Sequence, residues 1–193
     1  VLGGPQYAGD DEGHPHFPKL LELMRRFDNE LKPVMGICLG CQLLARAHGG
    51  QTTKMETLEL GFIQHQLTDA GKTDSLTGGL ELPPLMEFHQ DSFDLSDGAV
   101  LLVEGGQCRN QCFRVGHCSW GFQFHLEVDE TVVSEWLINF TKGELDAYRA
   151  YRDNFSTRDI EMMNTALPEQ ISRSKLFCKQ VAGRWLDLAT GKR

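Results

Sequence analysis

The chain has 193 residues, 40% of them apolar and 24% charged, which is the composition of one soluble globular domain with a substantial core. Nineteen basic against 27 acidic residues give 19 − 27 = −8 with no basic run to track a phosphate backbone, which excludes nucleic acid as the expected ligand and points to a small polar substrate or a protein partner. No apolar run reaches the roughly 20 residues that span a bilayer and no export leader opens the chain, so membrane insertion and secretion are not expected. Six cysteines in a chain of this length are too sparse for a disulfide scaffold, so free thiols in a cytoplasmic protein are expected.

In chain order, Val1-Leu2-Gly3-Gly4-Pro5 reads as the end of a buried strand and its turn. With no start methionine and no preceding element, an N-terminal strand and helix of the fold are expected to be missing. Residues 6 to 15 read as a polar loop. A helix is expected from near Pro18, with Phe17, Leu20, Leu21, Met24, Phe27 and Leu31 along one face. Pro33 to Ile37 reads as a strand, followed by the turn Gly36-Ile37-Cys38-Leu39-Gly40 and a helix carrying Leu43, Leu44 and Ala47 that ends at Gly49-Gly50. This alternation of strands and helices predicts a layered α/β sheet. Residues 51 to 103 read as short antiparallel strands and loops. A hairpin turning near Gly105-Gly106 follows, with strands at Cys112 to Val115 and Ser119 to His125. From Asp129 the pattern is helical. Asp129 is a candidate N-cap, Ser156 with Asp159 a capping box, and Pro168 the start of a separate last helix. The expected organisation is one α/β domain over residues 1–142 with a helical extension, residues 143–193, packed on it.

The chemistry centres on Cys38. Flanking glycines let a strained strand-to-helix turn approach its own backbone, and the helix N-terminus favours a thiolate and a developing oxyanion. A cysteine nucleophile needs a base and a group to orient it. His125-Leu126-Glu127 supplies both, because residues two apart on a strand share a face. The predicted triad is therefore Cys38, His125 and Glu127. Backbone N–H groups of Gly4 and Leu39 are the predicted oxyanion hole. Bland readings stand beside these. Cys38 could be a buried structural cysteine, Cys38 and Cys41 a redox pair, and Cys108, Cys112, His117 and Cys118 a zinc site, although their spacing lacks a paired knuckle. His89 either shapes a pocket or is a satisfied polar residue beside one. Neither a metal nor a cofactor is required by the expected chemistry. Trp136 and Trp185 read as core.

The motifs Gly3-Gly4-Pro5, Gly36-Ile37-Cys38-Leu39-Gly40-Cys41-Gln42, His89-Gln90-Asp91 and Gly121-Phe122-Gln123-Phe124-His125-Leu126-Glu127 resemble, in order and separation, those of the class I, triad-type glutamine amidotransferases. The likeness covers about residues 1 to 140 and is closest in flavour to stand-alone proteins similar to the amidotransferase domain of GMP synthetase. It implies a flavodoxin-like three-layer α/β sandwich, hydrolysis of the glutamine side-chain amide through a γ-glutamyl thioester, and glutamine binding by Gln42, Gln90 and Asp91. The chain departs from the family pattern at Leu126, where proline is usual, and at Gln90, where glycine is usual. With no phosphate-binding loop in the chain, a true amidotransferase would need a separate ammonia-accepting synthetase as partner. A stand-alone γ-glutamyl peptidase would not. A catalytically silent binding protein of the same fold is the alternative from another class.

Overall fold

The computed structural model describes residues 1–192. The first helix, α1 (Phe17–Asn29), turns Phe17, Leu21 and Met24 inward and carries a proline in its first turn, where the missing N–H costs nothing. β1 (Val34–Ile37) leads through Cys38 into α2 (Leu39–Ala47). Then come β2 (Thr52–Ile63), β3 (Gln66–Leu67), β4 (Leu85–Phe93), β5 (Val100–Glu104), β6 (Asn110–Val115) and β7 (Ser119–Phe122). The chain closes with α3 (Glu130–Lys142), a 3-10 helix at Asp146–Asn154, and α4 (Thr157–Ala189).

Five strands form the main sheet in the order β1-β7-β6-β5-β3, in which β1 and β7 are parallel and the other neighbours antiparallel. Val1 extends this edge: its amine donates to the Met35 carbonyl and its own carbonyl accepts from the Ile37 N–H. Along β6, Phe113 points into a core shared with α1 and α2, while its neighbour Cys112 points into a core shared with α4. The sheet is thus sandwiched between helices, the expected layered α/β arrangement. β2 and β4 form a separate antiparallel ribbon, Glu59 opposite His89, whose apolar face packs on α3, the 3-10 helix and the first half of α4.

Three expectations about elements are corrected. Residues 51 to 103 hold two long strands, of twelve and nine residues, rather than only short ones. Polar Glu87, His89 and Asp91 alternate with apolar neighbours in β4, yet both faces are buried, so the usual apolar-in, polar-out signal is inverted. The strand expected to run to His125 ends at Phe122. Ser156 and Asp159 do form a capping box, but the helix they open runs unbroken through Pro168 to Ala189. A proline inside a helix loses one backbone hydrogen bond and costs about 3 kcal/mol. Burial on both sides outweighs that: Leu167 and Ile171 pack under the β2–β4 ribbon, and Phe177 and Val181 against the main sheet. Among the described residues, no helix is long and apolar enough to cross a membrane.

Candidate active site

β1 and β7 run parallel and in register, Gly36 beside Gly121 and Ile37 beside Phe122, so the segments leaving their C-terminal ends emerge side by side. Crevices outside the carboxyl ends of parallel strands are where open α/β sheets bind ligands. Cys38 leaves β1 there, its N–H donating to the Phe122 carbonyl at 2.8 Å. His125 leaves β7 three residues beyond that carbonyl and is pinned by its own N–H to the Met86 carbonyl of β4, also at 2.8 Å.

Cys38 has φ 51° and ψ −114°, a backbone that L-residues avoid, and it caps the N-terminus of α2. The turn is this tight because its glycines permit it: a Cβ on Gly36 would run into the Gly40 carbonyl, and one on Gly40 into the Val1 carbonyl. Gly3 lies over the pair, where a Cβ would stand 3.2 Å from both Cys38 Cβ and His125 Cε1. Gly4 lies against the Leu39 side chain, where a Cβ would stand 3.1 Å from Leu39 Cδ2, so the two residues expected to supply the oxyanion donors are neighbours. The first N–H groups of a helix have no partner within the helix, which leaves the one at Leu39 available.

His125 Nδ1 is 2.7 Å from Glu127 Oε1, although both residues lie beyond the strand. Burial by itself would lower the His125 pKa. The charge and hydrogen bond of Cys38, followed by those of Glu127, more than reverse this and raise it to about 10. Cys41 is the opposite case: fully buried, with its Sγ 3.7 Å from Gln123 Oε1, and its thiol pushed far up by burial and by neighbouring Cys38. A thiol so reluctant to ionise is a poor partner in redox exchange.

Cys38, His125 and Glu127 open into a cavity of about 330 Å³ whose wall includes Leu2, Phe88, Trp136 and Tyr148. Trp136 stands edge-on to the His125 ring with centroids 4.8 Å apart, and Tyr148 stacks on Phe88 at 4.5 Å. Trp136, expected as core, is therefore a wall of the site, and Tyr148 was not anticipated; a helical apolar stripe in sequence does not reveal that one of its members overhangs a cavity. None of Gln42, Gln90 and Asp91, expected to bind the glutamine, lines this cavity. Gln42 is buried, its Nε2 donating to the Asp91 carbonyl at 3.4 Å and to Gln123 Oε1 at 3.1 Å, and Gln90 is half-buried.

The four residues weighed as a zinc set scatter. Cys112 enters the core beside α4, while the His117 and Cys118 N–H groups bind the Asp28 carboxylate. Cys108 instead meets Glu59 and His89, with one potential ligand atom from each lying within 4.8 Å of the others. His89 Nε2 is 2.8 Å from Glu59 Oε2, the spacing of a shared proton. Two nitrogen or oxygen ligands about 2.0–2.1 Å from a tetrahedral zinc stand about 3.3 Å apart.

Residues 1–142 match the family Glutamine amidotransferase class-I, and the chain belongs to that family. It is 33% identical over 149 residues to the glutamine amidotransferase-like protein YfeJ of Salmonella typhimurium, covering 75% of this chain and 62% of that one, less than two thirds of that relative's length. It is 27% identical over 185 residues to gamma-glutamyl peptidase 3 of Arabidopsis thaliana, covering 93% and 71%. It is 30% identical over 148 residues to the glutamine-hydrolyzing GMP synthase chain of Pyrococcus furiosus, covering 74% of each. The crystal structure of a glutamine amidotransferase from Methylobacillus flagellatus superposes with a TM-score of 0.80 at 30% identity, covering 96% of this chain and 74% of that one. The fold is that of the class I glutamine amidotransferases.

Proposed function

We propose that the protein is a cysteine-dependent hydrolase of γ-glutamyl amides, with Cys38 as nucleophile, His125 as proton carrier and Glu127 as its orienting carboxylate. The observation that carries this reading is one cluster: a cysteine on a strained turn at a helix N-terminus, beside a histidine whose Nδ1 is 2.7 Å from a carboxylate, all facing one cavity.

In this mechanism the Cys38 sulfur attacks the γ-carbonyl, and the oxyanion is received by the N–H groups of Gly4 and Leu39. His125 then gives its proton to the departing nitrogen, which leaves as ammonia or an amine, and a γ-glutamyl thioester remains on Cys38. Acylation removes the sulfur charge that raised the His125 pKa, so the imidazole loses affinity for its proton and becomes a base. It takes a proton from water, the hydroxide attacks the thioester, and glutamate and the Cys38 thiolate are regenerated beside the imidazolium. Of the residues expected to bind the glutamyl end, Gln90 shares the Phe88 face of β4 and is assigned to that role, while Gln42 and Asp91 are turned into the interior and support the site from behind.

The apolar wall of Leu2, Phe88, Trp136 and Tyr148 favours a leaving group larger than ammonia, as in a γ-glutamyl peptide, and the likeness to a gamma-glutamyl peptidase supports this version. The likeness to a glutamine-hydrolyzing GMP synthase chain supports the other version, in which ammonia passes to a separate synthetase. The test is incubation with glutamine and a panel of γ-glutamyl amides and peptides, with mass-spectrometric trapping of the adduct. A γ-glutamyl group on Cys38 and product release at least 10³-fold above Cys38→Ala are expected. Equal background release by wild type and Cys38→Ala in folded protein overturns the reading and leaves a silent binding protein.

A further inference from the structure

The side of β4 facing away from the cavity carries charged groups in the interior. His89 and Glu59 are each 2% exposed, Glu87 is fully buried and His65 is 3% exposed. His89 Nδ1 lies 2.9 Å from the Asp91 carbonyl, while its Nε2 lies 2.8 Å from Glu59 Oε2 and 3.2 Å from Glu87 Oε2. Every one of these neighbours is an acceptor if the carboxylates are ionised, so both ring nitrogens must donate and His89 is an imidazolium. His65 completes the cluster, with Nε2 2.7 Å from Glu87 Oε1.

From His89 the hydrogen bonds continue to both halves of the nucleophile–base pair. The Asp91 carbonyl that accepts from His89 also accepts from Gln42 Nε2 of α2, one turn beyond Cys38, and the Gln42 N–H binds the Cys38 carbonyl at 3.2 Å. Gln42 Nε2 also donates to Gln123 Oε1, two residues before His125. The Gln123 N–H donates to the Gln111 carbonyl at 2.8 Å, and Gln111 Nε2 returns to Glu59 Oε2 at 2.9 Å. The links form a closed circuit, Glu59 to His89 to Asp91 to Gln42 to Gln123 to Gln111 and back, which joins β2, β4, α2, β6 and the end of β7. The same strand β4 presents the Phe88 carbonyl to Cys38 Sγ at 4.0 Å and the Met86 carbonyl to the His125 N–H.

We infer that His89 is a positioning residue: held as an imidazolium between Glu59 and Glu87, it locks the buried circuit that fixes Cys38 relative to His125. The inference rests on the proposed roles of Cys38 and His125. Charges buried at this depth destabilise a core relative to apolar groups of the same size, and a positioning role offsets that cost. Their return is geometric, since a reacting pair loses rate steeply when misplaced by a fraction of an ångström.

The test compares wild type, His89→Gln and Gln111→Met, the latter cutting the circuit without leaving a charge unpaired. Two rates are read at a temperature where each variant is folded by circular dichroism: alkylation of Cys38 by iodoacetamide, and turnover of a γ-glutamyl anilide. Both variants are expected to slow Cys38 alkylation and lower kcat by about tenfold to a hundredfold, with KM within about twofold. A role in folding alone would lower only the melting temperature, and a role in substrate binding would raise KM while alkylation stayed at the wild-type rate; either result overturns the inference. Because alkylation needs no substrate, a wild-type protein inactive on every γ-glutamyl compound would sink the proposed function without touching this one. If neither variant folds, 15N NMR of the wild-type protein decides: both His89 ring nitrogens protonated at pH 7 is the expected result, and a neutral ring overturns it.

Discussion

Cys38 and Cys41 sit three residues apart on one turn in opposite surroundings, which shows how far residue identity alone can go. Cys38 faces the cavity beside His125; Cys41 faces Gln123 in the core, with its thiol pushed far up by burial. The glycine spacing around Cys38 and the two-residue step from His125 to Glu127 made the proposed triad readable, because both are local regularities. His89 was not readable in the same way: its meaning depends on Glu59, thirty residues earlier, and on a carbonyl turned toward it by a fold not yet known. The His125 pKa stands at about 10 against an ordinary 6.5, raised chiefly by Cys38. A pKa raised by folding contributes stability that is complete below the unfolded value and is lost as pH rises through the folded one. The His125 contribution is therefore present below about pH 6.5 and fades toward pH 10. In Cys38→Ala, NMR titration of His125 should give a midpoint at least one unit lower, and the decline of melting temperature between those limits should be shallower than in wild type. An unchanged midpoint would detach the histidine from the sulfur.

At the scale of elements, the elbow joining β1 to α2 stores strain that its neighbours enforce. The Cys38 backbone has positive φ, and glycine is the residue that relieves this cost. Cys38→Gly and Cys38→Ala should be equally inactive, but the glycine variant should be more stable by about 1–3 kcal/mol in urea unfolding. Equal midpoints would mean that the turn relaxes freely once the thiol is gone. The elbow and the first turns of α1 were legible because a 3.6-residue apolar period and a glycine pair survive translation into sequence, whereas Phe27 and Leu31, expected on the same apolar face, are exposed and Leu31 lies past the helix end. β4 was hidden because its polar residues are buried too, and Pro168 was misleading because a helix-breaking residue is decisive only when little else holds the helix.

For the molecule as a whole, α4 acts as a strap from the β2–β4 ribbon, which carries Phe88 to the site, across to the main sheet. Phe177, 2% exposed within the second of these cores, should cost about 3–5 kcal/mol when replaced by alanine. Met162→Ala, at a side chain 61% exposed on the same helix, should stay within about 0.5 kcal/mol. Thermal unfolding of the two variants checks the contrast, and equal melting temperatures would mean that the second half of α4 is not anchored as described. The layered α/β class, the proposed nucleophile and its two partners were legible in the chain, because strand-to-helix turns, short-range spacing and periodic burial are properties of neighbouring residues. What surrounds them emerged only on folding: the apolar wall with Trp136 and Tyr148, the continuity of α4, and the buried circuit through His89. Each of these is made by groups distant in the chain, and the energy of a buried charge or an apolar overhang is set by what folding places against it.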